Sequence, residues 1–252
     1  MVSAAASGYL GWQYGYLALF LLAALFGVIS IACVLMIPAK MIDHRVARGT
    51  KEDDSDGRPS GFTVLVKHKP LLILALALAV FHLGNAAIVP LYGLAAVAAN
   101  QANGPSFVAT SIVVAQGAMV VASIVAMRAV ESRNYWPVLL MSFLALPARG
   151  ILAYAIAGWS GVLPVQILDG VGAGLQSVAV PGMVARSMNG TGRISLAQGA
   201  VITAQGVGAS LPCARRLDRA VGRISTHVLL LGGFGVIAVA LWVVFASAVK
   251  SY

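Results

Sequence analysis

The sequence predicts an all-α integral membrane protein with about seven transmembrane helices. Three observations carry this reading. Of the 252 residues, 60% are apolar and only 10% are charged, against about 25% charged in soluble domains. The apolar residues gather into runs close to the roughly 20 residues needed to cross a bilayer. The basic residues, 17 against 8 acids, fall mostly in the short gaps between those runs. The formal charge of +9 is therefore a topology signal. It lacks the interleaved basic and aromatic patches of single-strand nucleic-acid binders, and no nucleic-acid partner is expected.

Taken in order, residues 1–13 are uncharged and end on aromatics, with Tyr9 and Trp12. No positive n-region precedes the first apolar span, so no signal peptide is evident. That span, 14–38, opens on aromatic residues suited to the membrane interface. The segment 39–69 is polar and holds seven basic residues and five of the eight acids. Asp53-Asp54-Ser55-Asp56-Gly57 lacks the ligand spacing and terminal Glu of a calcium loop and reads as solvated linker. The positive-inside rule places 39–69 in the cytoplasm and the N-terminus outside. Further spans are expected at 70–99, 107–127, 136–158, 162–185, 194–211 and 227–249, with Pro90 kinking the second. The uncharged gaps at 100–106 and 158–161 are expected outside, and the basic gaps at 128–134 and 186–193 inside. Asn189-Gly190-Thr191 matches a glycosylation sequon but lies on the wrong side. Cys33 reads as a small core hydrophobe. Neither Cys33 nor Cys213 has metal-ligand spacing, and no metal or cofactor is expected.

The span 162–185 is the unusual one. It carries Asp169 near its middle, and an Asp at a membrane-helix centre costs about 2.5–3.5 kcal/mol on insertion scales. Gln166, Asp169, Ala173 and Gln176 follow i, i+3, i+7, i+10 spacing, one face of a helix. In the second span His82, Asn85, Val89 and Tyr92 repeat that spacing. The polar members of both stripes are candidates for lining a substrate or proton pathway, with hydrogen bonding between helices as the plainer role. His82 titrates near neutral pH when unperturbed and suits a proton relay or a core hydrogen bond. Gly170 and Gly174 form a small-xxx-small pair that permits close helix packing. The Gly170-x-Gly172-x-Gly174 run is no dinucleotide fingerprint, since it neither follows a strand nor opens a helix.

Arg149 lies 13 residues past Trp136, roughly 20 Å from the cytoplasmic edge at about 1.5 Å per residue. Asp169 lies 10 residues past Trp159, roughly 15 Å from the external edge by the same rise. In a core about 30 Å thick the two depths meet within an arginine's reach. An Arg149–Asp169 pair across adjacent antiparallel helices is expected, serving either to neutralise two buried charges or to couple transport.

These features together resemble the major facilitator superfamily, specifically its second half with helix six. The resemblance matches 14–38 to helix six, 39–69 to the central cytoplasmic loop and 70–252 to the six-helix C-terminal bundle. Arg128, Glu131 and Arg133 loosely resemble the charged signature between helices eight and nine. The resemblance implies that the helices bearing the two polar stripes line the central cavity, and that Arg149 sits on a peripheral helix. It also implies that helices one to five are missing, so that transport requires an absent N-terminal half or a homodimer.

The segment 212–223 departs from that pattern, with four arginines where few are expected. Residues 212–220 can be encoded as CCC TGC GCT CGG CGG CTG GAT CGC GCx. Read from the second base, this spells Pro-Ala-Leu-Gly-Gly-Trp-Ile-Ala, an apolar helix end. A pair of frame changes near Leu211 and Arg223 would account for the departure, which the gene's own codons decide. The functional expectation is a secondary transporter of a small molecule in a bacterial inner (plasma) membrane, in a truncated or partial chain, with the lipid bilayer and a small-molecule substrate as partners. The alternative is a non-transporting assembly or regulatory partner. An enzyme is not expected: intramembrane catalysis through Asp169 and His82 has no paired-Asp signature, metal cluster or nucleophile motif behind it.

Overall fold

A computed structural model of the chain describes residues 7, 9–11, 13–38, 67–98, 104–132, 134–156, 159–211 and 224–249. The described residues form seven long helices: α1 Tyr16–Leu35, α2 Lys69–Ala98, α3 Gly104–Ser132, α4 Tyr135–Ala155, α5 Val162–Ser187, α6 Ile194–Ser210 and α7 Ile224–Val244. A short α8, Ala246–Val249, follows. No strand occurs among them. Among the described residues, five stretches are long and apolar enough to cross a membrane: Leu17–Leu35, Lys69–Ile88, Val108–Glu131, Tyr135–Ala155 and Val162–Ser187. The 17-residue α6 and the apolar part of α7, Leu229–Val244, are shorter. In hydrocarbon a backbone must satisfy its own polar groups, so apolar runs of this length form continuous helices. That requirement also carries α2 past Pro90, and α4 and α5 past Pro147 and Pro181.

The helix boundaries differ from the sequence reading where no breaker stands. α3 runs on to Ser132, because Met127 to Ser132 holds neither Pro nor Gly. Arg128 and Glu131 therefore lie on the helix rather than in a gap, both exposed. Arg133 falls outside the described residues, as do 39–66 and 212–223.

The neighbours around the bundle run α3, α5, α4, α7, α2, α6. α1 buries none of its span. The core joins Leu74 and Leu78 of α2, Leu139, Phe143 and Leu146 of α4, Met183 of α5, Val201 of α6 and Trp242 of α7, all buried. Phe143 stacks edge-on against Trp242 with ring centroids 5.5 Å apart. Two tryptophans tie α4 to α7 reciprocally. Trp242 Nε1 donates to the Trp136 carbonyl at 3.0 Å, and Trp136 Nε1 to the Trp242 carbonyl at 3.4 Å. The end of α7 thus lies beside the start of α4, so α6 ends and α7 begins on the opposite side of the bundle.

In lipid the helices cannot associate by withdrawing apolar surface from water, and close backbone approach takes over. The α3–α5 seam is built this way. A Cβ added at Gly170 would collide with the Ala115 carbonyl oxygen and lie 2.7 Å from Ala118 Cβ. One turn on, a Cβ at Gly174 would lie 2.5 Å from the Met119 carbonyl oxygen. Gly170→Ala gains about 1 kcal/mol of helix propensity, but overpacking against a backbone that cannot rotate away costs about 1–3 kcal/mol. The expected result is a net loss, read as a lower melting temperature of the detergent-solubilised chain. Gly199→Ala, which meets open space, serves as the control and is expected to melt no lower than the parent.

Candidate functional site

The site is assembled by three helices. α4 contributes Arg149, 1% exposed, and α5 contributes Asp169, 23% exposed. Arg149 Nη1 lies 2.5 Å from Asp169 Oδ1 and donates a second hydrogen bond, also 2.5 Å, to Asn85 Oδ1 of α2. Both hydrogens of Nη1 are thereby used. Nε and Nη2 of the same guanidinium are buried and meet no acceptor. The local fold places this group by packing: Gly150, next in chain, faces Gly232 of α7 closely enough that a Cβ on Gly232 would lie 3.1 Å from its Cα. Gly172 of α5 faces Ala145 and Ser142 of α4, which lets α4 and α5 approach at the level of the pair.

One cavity adjoins the cluster and a second adjoins the first. A chamber of about 50 Å³ is lined by His82, Asn85, Arg149, Asp169 and Gln176 with Phe81, among others. A cavity of about 390 Å³ lies between α2, α5 and α6, with Ser177, Gln198 and Gln205 on its walls. His82, Ala173 and Gln176 line both spaces. His82 Nδ1 donates to the Leu78 carbonyl at 3.1 Å, which leaves Nε2 as the acceptor of the neutral ring. Gln176 is 7% exposed, and its Nε2 has no partner. A further cavity, about 640 Å³, lies between α3, α4 and α5. Its lining is apolar throughout, so in a bilayer it is a place for acyl chains and offers no polar recognition.

The structure brings together His82, Asn85, Arg149, Asp169 and Gln176. It does not bring Gln166 to them: that residue is 1% exposed, lines neither cavity, and has an unpartnered Nε2. Tyr92 lies on α2, and its side chain falls outside the described ones. Arg128 and Glu131 sit near the end of α3, away from the cluster. Sequence reasoning missed Gln198 and Gln205, whose i, i+7 spacing on one face of α6 was the available signal. Among the described residues no group of three or more His, Cys, Asp or Glu could hold a metal ion.

Helices of this length and character, enclosing an ionised pair, define a multi-pass all-α membrane protein. Over 212 residues, 83% of this chain, it is 36% identical to proteins of Mycobacterium tuberculosis strains H37Rv and CDC 1551 / Oshkosh, each described as an uncharacterized MFS-type transporter. The aligned part is 50% of each of those proteins, so the chain spans about half the length of the curated relatives it matches. No protein-family model and no solved structure matches it. The resemblance to the major facilitator superfamily therefore rests on most of this chain.

Removing one partner of a buried ion pair typically costs about 3–5 kcal/mol, because the other charge is left uncompensated. Asp169→Asn is expected to destabilise the chain on that scale in detergent denaturation. Replacing both partners with apolar residues, Arg149→Met with Asp169→Leu, is expected to recover most of the loss. A double variant no more stable than the single one overturns this account.

Proposed function

We propose that the chain takes part in secondary transport of a small molecule, with the described bundle acting as one of two facing halves. The observation that carries this is the Arg149–Asp169–Asn85 cluster in a chamber that shares His82 and Gln176 with a larger cavity. Ionisable residues within membrane helices are costly and mark substrate or ion pathways. In facilitator-type machines the substrate site lies near the bilayer midplane between repeats, and rocking one half against the other gives alternating access. The facing half is a companion segment or a second copy of this chain. The similarity to MFS-type transporters supports the reading.

We assign the membrane to the plasma membrane, with the N-terminus external and 39–69 cytoplasmic. Twelve of the seventeen Lys and Arg residues fall in 39–69, 128–133, 186–193 or at Lys250, which alternate crossing places on one side. Four fall in 212–223 on the other. The rule that basic loops stay inside makes the first side cytoplasmic.

Proteoliposomes holding the full chain and an entrapped pH dye test transport against a panel of neutral, cationic and anionic small molecules. At least one is expected to drive proton flux, and Asp169→Asn to abolish it. Absence of any flux, together with stable co-purification with another membrane protein, overturns transport in favour of an assembly role. For orientation, a chain with Cys33 and Cys213 replaced by Ser and carrying S55C is expected to resist an impermeant maleimide in intact cells and to react in inverted vesicles. The reverse pattern overturns the assignment.

A further inference from the structure

The hydrogen-bond inventory of the site is lopsided. A guanidinium has five N–H donors and no acceptor. Arg149 spends two on Asp169 and Asn85, both through Nη1. The three on Nε and Nη2 meet nothing. That edge is the one that grips a carboxylate with two parallel hydrogen bonds. Gln176, which lines the same chamber, adds another unpartnered buried donor at Nε2. A buried donor without an acceptor costs about 1–3 kcal/mol, so these donors on facing helices favour an acceptor-rich group over a cation.

Size narrows the group. A water's share of liquid volume is about 30 Å³, so a chamber of about 50 Å³ takes a head of a few atoms. The adjoining cavity of about 390 Å³ falls within the 300–1,000 Å³ or so of small-ligand sites and takes a larger body. Its walls mix Ser177, Gln198 and Gln205 with Val180, Val201 and Ile202. Charge narrows it further. Asp169 shares the chamber, so a second anion there calls for a proton, and Asp169, the counter-ion it would displace from Arg149, is the group placed to take it. The groups facing Asp169 are Arg149 of α4 and His82 of α2. α6 carries no charge, and α3 carries charge only at Arg128 and Glu131 in its closing turns.

We propose that the site takes the carboxylate of a small monocarboxylic acid on the Nε–Nη2 edge of Arg149 and on Gln176 Nε2. The acid's body lies in the cavity between α2, α5 and α6. One proton from the solvent on the entry side goes onto Asp169 as the ligand's carboxylate replaces it as the counter-ion of Arg149. Ligand and proton leave together, so the cycle moves one monoanion and one proton and no net charge. This names a substrate class for the transport reading and rests on it.

Two matched pairs of probes, acetate with acetamide and benzoate with benzamide, test the proposal on the purified full chain in detergent. Each acid is expected to raise the melting temperature more than its amide and to be accompanied by proton uptake from weak buffer. Gln176→Leu is expected to weaken acid binding about tenfold or more. In Asp169→Asn the ligand supplies the missing counter-ion. Acetate is therefore expected to stabilise that variant more than the parent, with no proton uptake. If the amides stabilise as well as the acids, or acetate fails to rescue Asp169→Asn, the proposal is overturned. Flux of neutral or cationic compounds alone in proteoliposomes overturns the carboxylate assignment and leaves transport standing. Acid-specific binding without flux of any compound does the opposite.

Discussion

The guanidinium of Arg149 is the group the bundle must accommodate. It is almost wholly enclosed and lies where lipid surrounds the helices, so it requires an anion and further acceptors. Asp169 provides the charge and Asn85 the second acceptor. Each stands on a different helix. The pair therefore fixes the relative rotation of α2, α4 and α5 more strictly than apolar contacts do, since an apolar contact survives a few degrees of slip and a charged hydrogen bond does not.

The other constraints serve that arrangement. Small residues bring α3 onto α5 and α6 onto α2: Gly208 stands so near Ala79 that an added Cβ would collide with the Ala79 backbone. The glycines of α5 point two ways. Gly170 and Gly174 face α3, while Gly172 faces α4. α5 is thereby pressed between two neighbours, with Asp169 directed at α4 and α2. The outward faces remain apolar, with Val121, Val125, Met141 and Ile151 exposed, as a lipid solvent requires.

Five of the spans were legible from apolar run lengths, because crossing a bilayer takes about 20 apolar residues. The polar stripes were legible only in outline. At about 100° per residue, Gln166 stands roughly 80° around the wheel from Gln176, enough to turn it away from the chamber that Asp169 and Gln176 share. The i, i+3, i+7 pattern treats those directions as one face. Depth counting brought Arg149 and Asp169 to the same level. It could not show that Asn85 shares the guanidinium, because the rotation of α2 is set by contacts with α7 and α6 that the sequence does not spell out. Helix ends were misjudged where the apolar run stopped but the helix did not, as at Arg128 and Glu131.

The reciprocal tryptophan bonds have a mechanical consequence. α4 and α7 are clasped at one end by Trp136 and Trp242 and touch again, glycine to glycine, at Gly150 and Gly232. The paired hydrogen bonds and the close glycine approach thus couple the two helices at two levels. Packed interiors pass strain on with little loss, so a twist of α7 about its own axis drags α4 with it. The guanidinium one residue before Gly150 is carried along. The position of Arg149 is thus tied to α7, a helix that holds no charge among its described side chains.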